Sequence, residues 1–233
     1  MDAQYDNWWL ENSNGDQEME DSHQHGWENV LSLIDEKDIF GLDILDFGCN
    51  QGKFLRVLFD KVPFDSAYGI DIAKMAIETA KQRVGDYPIH YDTTDDARML
   101  KKKFHTVIST SVLYLIEDLD AHFKMIFDVL HKKGVYYTSF TDQTNNPSFE
   151  FMKQKIDRYG ATKMQAKTLT DVVDSLIKNG FSVELIKEYR EPSYDVTKYK
   201  DFYLSVDDFI LSCDNSFLIK AVKEGVNSLW KNH

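Results

Sequence analysis

The segment Ile44–Phe54, with the sequence ILDFGCNQGKF, constrains the fold of this chain more than any other. Its short apolar run, Asp43–Phe47, is followed at once by a turn containing Gly48 and Gly52, which is typical of a parallel strand buried on both faces. Asp71 ends the next apolar run, about 20 residues further on. In an open parallel sheet, ligands bind beyond such strand ends. The segment therefore predicts a nucleoside site on an α/β sheet.

The apolar pattern alternates between strands and helices over residues 39–140 and loosens beyond them. Strands are predicted at Asp43–Phe47, Ala67–Asp71, Ile89–Tyr91, Thr106–Thr110, Val135–Phe140, Phe181–Glu188 and Tyr199–Leu204. The predicted fold class is α/β, with a doubly wound, mostly parallel seven-stranded sheet and helices on both faces. An N-terminal helical segment and C-terminal helices complete this prediction.

Helical spacing predicts the remaining elements. The apolar faces that support helices are Trp27, Val30, Leu31 and Ile34; Ala73, Ala76, Ile77, Ala80 and Val84; Leu119, Phe123, Ile126, Phe127 and Leu130; Leu169, Val172, Val173, Leu176 and Ile177; and Leu218, Val222, Val226 and Leu229. Gly134 and Gly180 are predicted to end two of these helices. A basic helix is expected near Phe149–Tyr159, and Ser205 with Asp208 predicts a capped helix start.

These elements suggest three regions. Residues 1–38 are expected to form an acidic N-terminal helical cap. Residues 39–204 would form the core, with an insertion at about 142–167, and residues 205–233 would form C-terminal helices packed on that core.

The distribution of charge argues against a nucleic-acid partner. Residues 1–38 hold 11 of the 39 acidic residues and one of the 27 basic ones, so they carry −10 of the net charge of −12. The rest of the chain is nearly neutral. Its basic clusters, Lys101–Lys103 and Lys153–Lys167, do not form the broad basic face that nucleic-acid binding usually needs.

The termini and the cysteines restrict the class of protein further. The start, MDAQYDNWW, lacks the basic and apolar parts of a secretory signal, and no apolar run approaches the ~20 residues of a membrane span. We therefore expect no membrane partner and a location in the cytoplasm. The two cysteines, Cys49 and Cys213, predict free thiols and no metal site. The pattern leaves the oligomeric state open.

The glycine spacing separates two classes of nucleoside cofactor. The dinucleotide fingerprint GxGxxG is absent, because this loop has glycine only at Gly48 and Gly52. The stretch LDFGCNQG instead resembles the first motif of the class I S-adenosylmethionine-dependent methyltransferases, an apolar strand and an acidic residue followed by GxGxG. Asn50 replaces the central glycine, and asparagine tolerates a left-handed backbone well.

The resemblance covers about residues 27–140 and implies S-adenosylmethionine as the cofactor. It places Gly48, Cys49 and Gly52 around the methionine part of that cofactor, and it implies that Asp46 and Asn50 of the same motif also bind the cofactor. It also places Asp71 on the ribose hydroxyls and Ile72 beside the adenine. Thr93 and Thr94 are the favoured contacts for the adenine edge, whereas Ser109 and Thr110, in STSVLY, would flank the methionine and the transferred methyl group.

The same resemblance implies an acceptor site at this edge of the sheet, for a small molecule with an oxygen or nitrogen nucleophile. Candidate residues for taking its proton are Tyr114, Asp142, His23 and His25. Many family members have a histidine where this chain has Leu115. Tyr5, Trp8 and Trp9 fit two interpretations, as core aromatics or as a cation–π contact to the sulfonium.

Three other functions remain open from the sequence. An RNA-modifying methyltransferase or a non-catalytic cofactor-binding module would share the motif. A nicotinamide oxidoreductase is the third. Asp71 also has a purely structural interpretation, as a cap on the following helix.

Overall fold

The computed structural model describes residues 26–159, 162–187 and 194–224. Tyr5, Trp8, Trp9, His23 and His25 therefore lie outside the described residues, as do Val226 and Leu229. The described helices are α1 (26–33), α2 (Lys53–Lys61), α3 (Lys74–Arg83), α4 (Leu119–Val129), α5 (Phe149–Tyr159), α6 (Leu169–Lys178) and α7 (Val206–Asp214). None of them is long and apolar enough to cross a membrane.

One sheet of seven strands organises the described chain, and the predicted α/β fold is confirmed. Its strands are β1 (Asp43–Phe47), β2 (Ser66–Asp71), β3 (Ile89–Thr93), β4 (Phe104–Ser109), β5 (Leu130–Thr141), β6 (Phe181–Lys187) and β7 (Ser216–Lys223). The spatial order is β3-β2-β1-β4-β5-β7-β6, in which β7 alone is antiparallel to its two neighbours. The strand order reverses between β1 and β4, where ligands bind in open α/β sheets.

Successive residues of the central strands supply the cores on the two faces of the sheet. Ile44, Ile108 and Tyr137 belong to one core, together with buried residues of α1, α2 and α3. Their neighbours Leu45, Val107 and Tyr136 belong to the other, together with α4 and α6. Because both faces are covered, the strands read as continuous apolar runs.

The C-terminal part of the sheet corrects two predictions. Tyr199–Leu204 is not a strand, since a 3-10 helix occupies Tyr199–Asp201. The predicted helix with Leu218 and Val222 is also wrong, because these residues belong to β7. Leu218 lies on one face and Ile219 on the other, and both are fully buried. A strand buried on both faces has no polar side, so its pattern resembles that of a helix.

Two helix predictions also need correction at their ends. Gly134 does not end α4, which stops at Val129, and Leu130 already pairs with Phe104. The left-handed residue in this region is Lys133, with φ of 65°. Ile177 was predicted to face inward but is 54% exposed. In contrast, Gly180 has φ of 91° after α6, and the Ser205 hydroxyl accepts a hydrogen bond from the Asp208 amide at the start of α7, as predicted.

Candidate functional site

The loop between β1 and α2 turns through three left-handed residues. Gly48, Asn50 and Gly52 have φ of 82°, 49° and 73°, which confirms that Asn50 adopts the conformation expected of the glycine it replaces. The amides of Gly48 and Cys49 both donate to the Ile70 carbonyl, at 2.8 and 3.0 Å. These two hydrogen bonds hold the loop against the end of β2.

The two glycines make room for protein side chains. A Cβ on Gly48 would overlap the side chain of Val112, and one on Gly52 would overlap the phenol ring of Tyr91. The Tyr91 hydroxyl donates to the Gly52 carbonyl at 3.0 Å. Close approach of neighbouring strands and loops thus requires glycine at both positions, independently of any ligand.

Asp71 closes the loop from the end of β2. One carboxylate oxygen accepts from the Asn50 amide and the other from the Ala73 amide, both at 2.9 Å. These bonds lower the pKa of Asp71, whereas burial, the larger effect, raises it. The bond to Ala73, the N-cap residue of α3, gives some support to the structural interpretation of Asp71. Each oxygen has a second lone pair, so the carboxylate can still accept from ligand hydroxyls.

Asp46 is a buried carboxylic acid with an oxygen that the described residues leave without a hydrogen bond. It is 2% exposed, and its Oδ2 atom has no hydrogen-bond partner among the described residues. Burial, together with the nearby charge of Asp71, raises the pKa of Asp46 to about 8. The side-chain oxygen of Asn50 is likewise buried without a described partner. Buried polar atoms of this kind require a partner, and here they lie beside a cavity.

That cavity has a volume of about 340 Å³ and lies over the loop at the strand ends. Most of the predicted site residues line it: Asp46, Gly48, Cys49, Asn50, Gly52, Asp71, Ile72, Thr94, Thr110 and Tyr114. The Thr94 amide also donates to the Asp71 carbonyl at 3.0 Å, which brings the ends of β2 and β3 together. Residues from three successive strand ends and from the segment after β4 thus form one surface.

Three predicted residues are not among those that line the cavity. Thr93 is exposed at the end of β3, and Ser109 is fully buried in β4. Asp142 supports a loop instead, because its two oxygens accept from the amides of Thr144 and Leu169 at 3.0 and 2.8 Å. This arrangement does not support Asp142 as a base toward a cavity ligand.

Tyr114 lines the cavity, as predicted for a residue beside the cofactor. Desolvation raises the pKa of its hydroxyl, which therefore keeps its proton at neutral pH. A protonated phenol can donate a hydrogen bond to a ligand. The role of Tyr114 as a base stays a prediction.

Four further residues line the cavity without being predicted for it from the sequence: Trp27, Ile116, Ile156 and Thr162. Trp27, predicted as part of the apolar face of α1, also contacts Phe54 edge to face, with 6.4 Å between ring centroids. No sequence signal links Ile156, in α5, or Thr162, beyond the end of that helix, to the loop, because both come from a distant part of the chain.

Polar contacts at both ends hold α5 in this place. The Ser148 hydroxyl, at the start of the helix, donates to Asp208 at 2.5 Å and accepts from the Leu204 amide at 2.8 Å. At the other end, one Asp157 oxygen accepts from the Met164 amide and the other from Lys153 Nζ, both at 2.7 Å. These bonds fix Ile156 and Thr162 relative to the rest of the cavity.

The remaining titratable candidates do not form a second centre. No disulfide joins the two described cysteines, Cys49 and Cys213, and burial raises the pKa of Cys49 well above its usual value. His122 packs in the core beside the Tyr136 hydroxyl, and burial lowers its pKa to about 4. No group of three or more potential metal ligands occurs within residues 26–159, 162–187 and 194–224.

Comparison with known proteins extends these observations. A family model described as a methyltransferase domain matches residues 45–136. Malonyl-[acyl-carrier protein] O-methyltransferase from Acetivibrio thermocellus is 28% identical over 132 residues, which are 54% of this chain and 47% of that protein. The corresponding enzyme 1 of Ilyobacter polytropus is 26% identical over 105 residues, 44% and 39% of the two chains. The chain thus spans less than half the length of these relatives.

Solved structures share the fold at low identity. The complex of the Haloferax volcanii Trm112 methyltransferase activator with a methyltransferase gives a TM-score of 0.76 at 17% identity, over 97% of this chain and 100% of that chain. An S-adenosylmethionine-dependent methyltransferase from Mesorhizobium loti gives 0.65 at 20% identity, over 84% and 96%. Magnesium protoporphyrin IX methyltransferase from Synechocystis PCC 6803 gives 0.61 at 19% identity, over 91% and 88%.

Proposed function

We propose that this chain, which belongs to the class I S-adenosylmethionine-dependent methyltransferases, transfers a methyl group to an oxygen or nitrogen atom of a small-molecule acceptor. The observation that carries this proposal is the pair of buried carboxylates, Asp46 and Asp71, at the strand ends beside one cavity. A nucleoside with a cationic side chain would satisfy both, because its ribose hydroxyls can donate to Asp71 and its charge can neutralise Asp46.

The lining residues suggest where each part of the cofactor would lie. Ile72 and Thr94 would flank the adenine, and Asp71 would accept from the ribose hydroxyls. The loop Gly48–Gly52, with Asp46 beneath it and Thr110 beside it, would surround the methionine. The buried oxygens of Asp46 and Asn50, which lack described protein partners, support this placement.

When bound, the cofactor supplies an electrophilic methyl group on a sulfonium. The contribution of the protein would be to align the acceptor with that group in a site with little water, which can account for a large part of the rate. Trp27 and Ile156 provide an apolar wall for this purpose, and the protonated Tyr114 hydroxyl can orient the acceptor by donating a hydrogen bond.

Among oxygen acceptors, we put carboxylates first. The relatives from Acetivibrio thermocellus and Ilyobacter polytropus are named as O-methyltransferases of a malonyl group, which ends in a free carboxylate. A carboxylate carries no proton at neutral pH, so its methylation requires no base. It would also accept the hydrogen bond that Tyr114 offers.

Binding measurements test the cofactor part of this proposal. We expect calorimetry to detect binding of S-adenosylmethionine to the full chain but no binding of NAD. Asp71→Ala should abolish cofactor binding, because the ribose loses its partner. Unchanged affinity in this variant would contradict the cofactor model, and binding of NAD alone would favour an oxidoreductase.

Transfer measurements test the acceptor. Cofactor labelled in its methyl group would be incubated with a panel of carboxylic acids, including a malonyl thioester, and with phenols, amines and total RNA. Transfer to a carboxylate is expected. Salt-sensitive transfer to RNA would favour the RNA-modifying alternative, and cofactor binding without transfer to any member would favour a non-catalytic module.

A further inference from the structure

Asp46 and Asp71, the two buried acids of the cavity, differ in how easily each can carry a negative charge. Asp71 accepts two backbone hydrogen bonds at 2.9 Å, whereas Asp46 has an oxygen with no described donor. Two nearby buried carboxylates repel each other when both are ionised, so one of them tends to hold a proton. The hydrogen bonds favour the charge on Asp71 and the proton on Asp46.

The other titratable groups near Asp46 do not change this distribution, with the proton on Asp46 and the charge on Asp71. Cys49 of the loop and Tyr91 of β3 interact with its charge, but burial raises the pKa of both, so they are neutral at physiological pH. Asp95, which lines the cavity, adds another acid. Lys53, the first residue of α2, is the one basic side chain among the described lining residues.

We propose that Asp46 holds a proton in the free protein and releases it to solvent when the cationic methionine end of S-adenosylmethionine enters the cavity. The neutral carboxyl becomes a carboxylate, and the positive charge of the cofactor replaces the proton as its partner. Cofactor binding and proton release are then one coupled event. This inference rests on the proposed function, since it requires that the cavity bind this cofactor.

The coupling has a defined sign. A group that must lose its proton on binding makes affinity rise with pH until the pH exceeds its pKa in the free protein. Because the pKa of Asp46 in the free protein is about 8, the affinity for S-adenosylmethionine should be about ninefold higher at pH 7 than at pH 6. Binding at pH 6.5 should release about one proton.

Calorimetry measures this proton directly. The full chain is titrated with S-adenosylmethionine at pH 6.5 in two buffers of different ionisation enthalpy, and the difference in heat gives the number of protons released. Asp46→Asn, which resembles the neutral carboxyl in shape, should bind more weakly, release no proton and show no change in affinity between pH 6 and pH 7. Asp95→Asn removes another acid of the cavity and should retain the proton release.

The outcomes separate this inference from the proposed function. Binding of S-adenosylmethionine by the unaltered protein without net proton release would overturn the inference and leave the methyltransferase proposal intact. Persistence of both the proton release and the pH dependence in Asp46→Asn would overturn it too. If the unaltered protein does not bind S-adenosylmethionine, the proposed function itself is contradicted.

Discussion

The Tyr91 hydroxyl donates a 3.0 Å hydrogen bond to the backbone carbonyl of Gly52, 39 residues earlier in the chain. This bond joins the third strand to the last residue of the loop after the first. The ring of Tyr91 is buried and occupies the space that a Cβ on Gly52 would fill. The shape of the loop thus depends on a residue outside the motif.

Tyr91→Phe should weaken cofactor binding without removing any cavity-lining group. The change leaves the Gly52 carbonyl without this partner, which typically costs about 1–2 kcal/mol of the free energy of unfolding. We expect a several-fold loss of affinity for S-adenosylmethionine, measured by calorimetry. The matched control is Tyr87→Phe, whose hydroxyl contacts Asp60 at the surface. Equal effects of the two substitutions would contradict this role of Tyr91.

Gly52→Ala should unfold the loop locally or destabilise the whole domain. Alanine at φ of 73° costs about 1–2 kcal/mol, and its Cβ would also overlap Tyr91. Gly85→Ala measures the cost of the backbone conformation alone, because Gly85 has φ of 54° and no atom lies within 4 Å of its Cβ position. Chemical denaturation should show a larger loss for Gly52→Ala. A loss no larger than that of Gly85→Ala would indicate that Tyr91 moves aside without cost.

Asp46→Asn should stabilise the cofactor-free protein at high pH. Folding raises the pKa of Asp46 from 3.8 to about 8, so the folded state binds the proton more tightly than the unfolded state. This contribution is fully present below pH 3.8 and is lost as the pH rises to about 8. Thermal denaturation should show little difference between the proteins at pH 4 and a higher Tm for the variant, by at least about 3 °C, at pH 8. A constant difference across this range would argue against the raised pKa.

Ile156→Ala should alter acceptor recognition while leaving cofactor recognition intact. Ile156 lines the cavity from α5, a helix outside the segment predicted to hold the cofactor. Removing its side chain enlarges the cavity, so the KM for the acceptor should rise about tenfold, with unchanged affinity for S-adenosylmethionine. Ile177→Ala, on the exposed face of α6, should change neither quantity. A parallel loss of cofactor affinity would place Ile156 beside the cofactor.

The part of the site that could be predicted is the part encoded locally. Asp46, Gly48 and Gly52 follow one strand, and Asp71 ends the next, so spacing along the chain is enough to bring them together at one edge of a parallel sheet. The lining residues that come from more distant parts of the chain have no such local pattern. Ile156 enters through α5, whose position depends on contacts such as Ser148 with Asp208.

The fold could be predicted where a turn residue marks the end of an element. The glycine after β1 and the alternation of strands and helices that follows it predicted the parallel part of the sheet. Leu218 and Val222 are spaced as in a helix, yet both belong to a strand that pairs with β5 and β6 and packs into a core on each of its faces. The aromatic residues of Tyr199–Leu204 have high strand propensity, but they pair with no strand of the described sheet, and Tyr199–Asp201 forms a 3-10 helix.

The antiparallel strand β7 pairs with both β5 and β6, although it follows both in the chain. During synthesis, β6 is therefore made before the strand that joins it to the sheet. Until Ser216–Lys223 has emerged, β5 presents an open edge, and such edges pair readily with other chains. Every described residue that lines the cavity has already been synthesised by then. A nascent chain can thus contain the whole described cavity lining while its sheet still awaits the strand that closes it.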